Sequence, residues 1–265
     1  MKYALITGGA GGMGRATAIK LAGNGYYVFS CDIKKSEQEV DNIEEIILNV
    51  RDMSSVENTY KEVCKVTDKL DAVINFAGII MMNSLVEIKE EDFVKIFDIN
   101  VFGAYRINKV FFPLIKNAGG RVVITTSELA ANKILPFNSI YSITKKSLDA
   151  YAQGLTMELG LLGIPVITIR PGAVETPIIN DSTKEMESLD QNTEYYKNTI
   201  SKFRHIVDKE QGGTITPDKI AELVYKVLEK KKPRHIYSKN ASIKLKLLNL
   251  VPAKMQVKLF KMILK

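Results

Sequence analysis

The chain has 265 residues, 46% of them hydrophobic and 25% charged, which is ordinary globular composition and suits one large domain around a single core. Its only cysteines, Cys31 and Cys64, lack metal or redox-motif spacing, so no disulfide framework is expected and a reducing cytoplasm fits. The formal charge of +7 matches the seven lysines Lys239, Lys244, Lys246, Lys254, Lys258, Lys261 and Lys265, a stretch without Asp or Glu. The body is therefore balanced, and nucleic acid is set aside as a partner.

No run approaches the ~20 apolar residues of a membrane span. The first residues carry too short an apolar core for a signal peptide.

Tyr3 to Thr7 is a short apolar run that ends in the glycine-rich Gly8-Gly9-Ala10-Gly11-Gly12-Met13-Gly14, and Arg15 to Ala22 reads as a helix. Strand, glycine turn and helix form a cradle in which backbone approaches a pyrophosphate and free helix N–H groups face it. A second strand, Tyr26 to Asp32, ends in an acid suited to ribose hydroxyls and hostile to a 2′-phosphate. Ile33 stands where an arginine would welcome that phosphate, so NAD is preferred over NADP.

A third strand over 45–50 leads to Asp52, which either faces an adenine or caps the helix over 54–66. The fourth strand is Ala72 to Asn75, a helix begins near Glu91, and Arg121 to Thr125 is the fifth strand. The unbroken βαβ alternation predicts a doubly wound parallel sheet with helices on both faces.

Tyr141 and Lys145 lie four residues apart in a helical stretch, so both leave one face. A nearby ammonium favours a phenolate, and such a tyrosine could exchange a proton with an alcohol or carbonyl oxygen near neutral pH. Taken alone, the pair is also what many amphipathic helices carry by chance.

The Thr7, Gly8, Gly12, Gly14 pattern, Asn75-Phe76-Ala77-Gly78, Asn100-Val101-Phe102-Gly103, Ser127 after the fifth strand, Tyr141 with Lys145, and Pro171-Gly172 with Thr176 fall in sequence order. Together they resemble the short-chain dehydrogenase/reductase family over roughly residues 2–237. Two departures stand out. Phe76 replaces an asparagine, and fourteen residues separate Ser127 from Tyr141 where thirteen is common, a count that would pick Glu128. Ser127 is preferred, because a glutamate would have to be protonated before it could donate to a substrate oxygen.

The resemblance implies a Rossmann sheet of seven parallel strands, completed by strands near 165–170 and 235–237, in one domain over 1–240. It implies Tyr141 as general acid/base, Lys145 lowering its pKa, Ser127 holding the substrate oxygen and Asn100 supporting a water. Cofactor contacts are expected at Gly8, Gly12, Met13, Gly14, Asp32, Ile33, Asp52, Met53, Asn75, Ala77, Gly78, Tyr141, Lys145, Pro171, Gly172, Val174 and Thr176. No metal is expected, and His205 and His235 read as structural. A homodimer or homotetramer is implied.

Residues 177–213 occupy the position of a substrate lid, and Thr216 with Pro217 reads as the start of a helix running to about Lys230. In the tail, 241–265, Lys254, Lys258, Lys261 and Lys265 make one helical stripe beside Met255, Leu259, Met262 and Ile263. Such a helix lies in a membrane interface, at the inner face of the cell membrane, or docks on the body or a second subunit. It resembles the retinol and 17β-hydroxysteroid branch of the family, which implies a lipophilic alcohol or ketone. A catalytically idle NAD-binding scaffold is the alternative, although a scaffold needs none of Asn100, Ser127, Tyr141 and Lys145.

Overall fold

The computed structural model describes residues 1–36, 38–210 and 213–264, without the side chains of 179, 180 and 205–210. Its strands are β1 (Lys2–Thr7), β2 (Tyr26–Asp32), β3 (Ile43–Ile47), β4 (Ala72–Asn75), β5 (Arg121–Thr125), β6 (Val166–Pro171) and β7 (Ile236–Lys239). They form one parallel sheet in the order β3-β2-β1-β4-β5-β6-β7. The helices are α1 (Gly12–Ala22), α2 (Met53–Val66), α3 (Glu90–Phe97), α4 (Gly103–Ala118), α5 (Ser139–Gly160), α6 (Pro177–Asn192), α7 (Lys197–Glu210), α8 (Pro217–Leu228), α9 (Ile243–Leu248) and α10 (Ala253–Leu264).

The central strands are buried on both faces, which is why they read as continuous apolar runs. Leu5, Phe29, Val73 and Val122 pack on one face with α2, α4 and α5. Ala4, Ile6, Val28 and Ile74 pack on the other with α1 and α8. The strand order reverses beside β1, and a crevice at the carboxyl ends of strands opens at such a switch point.

Edge elements depart from their sequence boundaries. β3 runs from Ile43 to Ile47, because it can extend only where β2 pairs with it, from Val28 to Asp32. Its first four residues are half-buried and Ile47 is exposed, which blurs the alternation that marks a strand. β7 extends to Lys239, and α1 starts at Gly12 rather than at Arg15. The helix expected from near Glu91 is interrupted by a π-helical turn, Asp98–Phe102, between α3 and α4. Such turns often sit at functional sites.

The segment expected to be a lid contains α6 and α7, packed through Met186, Leu189, Ile200 and Phe203 onto Met82 and Phe137. Glu87 accepts from Thr193 and from the amides of Glu194 and Tyr195, tying the lid turn to the body. The tail's α10 docks Phe260 and Leu264 into the lid cluster. The side chain of His205 lies outside the described residues. His235 is exposed, and its carbonyl accepts from Thr168 N at 2.7 Å. No described helix is long and apolar enough to cross a membrane.

Candidate active site

A cleft of about 550 Å³ lies at the carboxyl ends of β1, β2 and β4, lined by Gly8, Gly12, Met13, Gly14, Asp32, Ile33, Ala77, Gly78 and Thr176 among others. A second cavity of about 210 Å³ is lined by Ser127, Tyr141, Lys145, Pro171, Gly172 and Val174. Met13, Phe76, Gly78, Ile79, Thr176 and Ile178 line both, so the two spaces adjoin.

The first cleft has the makings of a dinucleotide site. α1 begins without a side-chain cap and without an acid in its first turn, so its amide groups and positive end face the cleft. The turn admits only glycine at two points. A Cβ on Gly14 would stand 2.0 Å from Gly8 O, and Gly8, at φ +72, would bring one within 2.8 Å of Ala77 N. The Asp32 carboxylate accepts from Ala10 N at 3.1 Å and borders the cleft, as an acceptor for ribose hydroxyls must. A nicotinamide dinucleotide therefore fits these residues: α1 would hold the diphosphate and Asp32 the adenosine ribose, with Tyr141 and Thr176 left for the nicotinamide end.

In the second cavity, α5 aims Tyr141 at the end of β5. Ser127 and Tyr141 line this cavity together, and the Ser127 hydroxyl is close enough to the phenol to favour its ionised form. The Lys145 ammonium lies 5.7 Å from the Tyr141 ring centroid and donates to Thr125 O at 3.2 Å. Burial pushes the Tyr141 phenol up to about 12, against the pull of the Ser127 hydroxyl. Burial also brings Lys145 down to about 8.

In the protein by itself, burial dominates both groups, and the phenol is not brought below its ordinary value. Both groups are withdrawn from water, and desolvation outweighs an ammonium that faces the ring.

Glu128, the competitor of Ser127, also borders this cavity but is engaged by the tail. Its Oε2 accepts from Ser242 N at 2.6 Å, and burial holds its carboxyl above the usual range. Ser127 meets Tyr141 because it caps the short turn Glu128–Ala130, accepting from Leu129 N at 3.2 Å.

Three expected residues are engaged within the fold. Asp52 caps α2 by accepting from Ser54 N at 2.9 Å, and neither it nor Met53 lines the cleft, whose floor there is Leu48 to Arg51. Asn75 is buried and donates to Asn108 Oδ1 at 3.0 Å and Val123 O at 3.2 Å, so it braces β4 behind the cleft. Asn100 accepts from Ile79 N at 2.8 Å and donates to Ile79 O at 2.9 Å and Thr144 Oγ1 at 3.0 Å. Its side chain clamps the 78–79 turn to α5.

Sequence reasoning missed Asp149, whose carboxylate pairs with Arg170 at 2.8 and 2.6 Å and accepts from Thr126 Oγ1 at 3.3 Å. Its position one turn beyond Lys145 was the available signal. Among the described residues no group of His, Cys, Asp and Glu could hold a metal ion.

A family model for short chain dehydrogenases matches residues 2–187. The chain belongs to the short-chain dehydrogenase/reductase family and is an oxidoreductase of that family. It is 31% identical over 211 residues to a 3-amino-tetrahydro-pyrrolizinone reductase from Xenorhabdus hominickii, covering 76% of this chain and 73% of the relative. A 3-ketodihydrosphingosine reductase from Bacteroides thetaiotaomicron is 25% identical over 229 residues, covering 86% and 84%. Among solved structures, an alcohol dehydrogenase from Thermococcus sibiricus complexed with 5-hydroxy-NADP superposes with a TM-score of 0.69 at 25% identity, covering 91% of this chain and 97% of that one.

Proposed function

We propose that the protein is an NAD-dependent oxidoreductase that interconverts a lipophilic alcohol and its ketone or aldehyde. The observation that carries this reading is the Ser127–Tyr141 hydroxyl pair with buried Lys145, in a cavity that adjoins a dinucleotide-shaped cleft. A bound nicotinamide dinucleotide supplies or accepts the hydride.

Tyr141 and Ser127 then bracket one substrate oxygen, Ser127 orienting it and Tyr141 moving the proton. With the phenol pushed up to about 12, Tyr141 holds its proton at neutral pH, which suits giving it to a carbonyl oxygen. Lys145 remains mainly protonated there, since its value is about 8, and its charge favours the phenolate left behind. Thr176, beside Gly12 and bordering both cavities, is positioned for the nicotinamide end.

NAD is favoured by Asp32 in the cleft wall and by the engagement of Arg15, which pairs with Glu45 at 3.1 Å and also bonds Gln38 O. Arg15 is therefore drawn away from any 2′-phosphate. The Thermococcus enzyme carries an NADP derivative, so Asp32 is the discriminating feature here. A lipophilic substrate is supported by the apolar lining of the second cavity, Ile79, Ile80, Leu129, Val174 and Ile178, and by the sphingoid substrate in the Bacteroides relative's name.

The test is turnover of a panel of fatty, steroid and short-chain alcohols and ketones with NAD or NADP, for wild type and Tyr141→Phe. Loss of the acid/base group lowers kcat about 10²–10⁴-fold while dinucleotide binding persists. A Tyr141→Phe enzyme with wild-type kcat on its best substrate overturns the assignment.

A further inference from the structure

The tail carries a second surface that the reaction does not use. On α9 and the turn after it, Ile243, Leu247 and Leu250 are 73%, 58% and 80% exposed. Their spacing of four and three puts them on one helical stripe. Lys244 and Lys246 flank that stripe on either side, while Leu245, Leu248 and Asn249 turn inward. On α10 the docked stripe is Gln256, Phe260 and Leu264. Lys254, Lys258 and Lys261 lie opposite it, with Met255 and Met262 exposed beside them. No Asp or Glu occurs from residue 241 to 265.

The segment is held in place from both ends. Ser242 N donates to Glu128, Asn249 accepts from Lys133 N at 2.8 Å and donates to Asn132 Oδ1 at 2.8 Å, and Leu264 enters the lid cluster. The outward residues are therefore presented by a fixed scaffold.

We propose that the outer face of α9 and α10 docks on an anionic lipid bilayer. An apolar stripe between lysines matches the boundary of acyl chains and headgroups, with aliphatic stems extending the apolar footprint and ammonium groups reaching lipid phosphates. A second copy of this chain is a poor occupant, because a two-fold contact would lay this acid-free lysine face against itself. The docking does not depend on the reaction proposed above, since it is read without turnover.

The experiment is co-sedimentation of the full-length protein with vesicles of phosphatidylcholine alone or mixed equally with phosphatidylglycerol. Comparison is with Leu247→Glu/Leu250→Glu and with Lys254→Gln/Lys258→Gln/Lys261→Gln. The wild type should pellet with the anionic vesicles and little with the neutral ones, less so as salt rises. Removing three lysines should weaken binding on the order of a hundredfold. The melting temperature of both variants should stay at the wild-type value.

Wild type remaining in the supernatant, or variants that pellet equally, overturns the proposal. So does a wild-type dimer in light scattering that both variants dissolve, since the face then belongs to a second copy.

Discussion

Replacing Lys145 by methionine separates the requirements of the reaction from those of folding. The side chain is 6% exposed, and burial lowers its pKa from 10.5 to about 8. That difference corresponds to about 3 kcal/mol by which folding disfavours the charged ammonium. Below pH 8 the cost is complete. The folded state binds fewer protons than the unfolded chain between about 8 and 10.5, so the cost falls as pH rises through that window. Methionine fills similar space without a charge, but it forfeits the bond to Thr125 O, worth about 1.5 kcal/mol. Lys145→Met should therefore be more stable than wild type at neutral pH by about 1–2 kcal/mol, a rise in Tm of about 2–6 °C. Calorimetry across pH 7 to 9.5 should show that advantage shrinking, while turnover falls at least about a hundredfold. A variant less stable than wild type at pH 7, or an advantage that does not change with pH, refutes the reasoning.

Ser127→Ala should lose turnover about a hundredfold or more, whereas Glu128→Gln, which removes a charge but keeps an acceptor for Ser242 N, should stay near wild type; the reverse order would move the register by one residue. Asp32→Ala removes the carboxylate beside Ala10 N and should shift kcat/KM toward NADP by about tenfold or more, measured as the ratio of the two cofactors' values; an unchanged ratio discards Asp32 as the discriminator. Asp149→Asn leaves the Arg170 guanidinium without its carboxylate and should destabilise the protein by about 3 kcal/mol in urea denaturation. Arg170 beside Asp149 holds its carboxyl below the usual range although burial opposes it. Its contribution is complete above the ordinary Asp value of 3.8 and is lost as pH falls through the depressed folded value, so the variant should show the weaker acid destabilisation.

The sheet was legible because buried parallel strands must be apolar on both sides and must end in turns that glycine permits. Tyr3 to Thr7 with its glycine turn, and Ala72 to Asn75, carry that signal in the plainest form. β3 and β7 were misplaced by a few residues because edge strands are half in water, which removes the contrast between faces. The π-helical turn at Asn100 left no mark in composition, since one extra residue in a helical turn changes hydrogen-bond register and not residue type.

Asp52 and Asn75 show a different limit. Asp caps a helix as readily as it faces a ligand, and a buried Asn serves a strand brace as readily as a binding site, so only coordinates separate the options. The Ser127 register had the same ambiguity by counting; both Ser127 and Glu128 border the second cavity, and Glu128 also accepts from Ser242 N of the tail.

The polarity of α5 follows from one periodicity. Tyr141, Lys145, Asp149 and Gln153 succeed one another at four-residue intervals, so one face of the helix presents a phenol, an ammonium, a carboxylate and an amide to the ends of β5 and β6. Gln153 donates to Asp149 at 3.0 Å, Asp149 holds Arg170 of β6 and Thr126 beside Ser127, and Lys145 holds Thr125. Apart from the intrahelical Gln153–Asp149 bond, each links the helix to the strand ends from which Ser127 and Pro171-Gly172 project. A slip of α5 by one residue would turn this face by about 100° and break the links together. The buried Lys145 and Asp149, costly in an apolar core, therefore set the register that brings Tyr141 to Ser127.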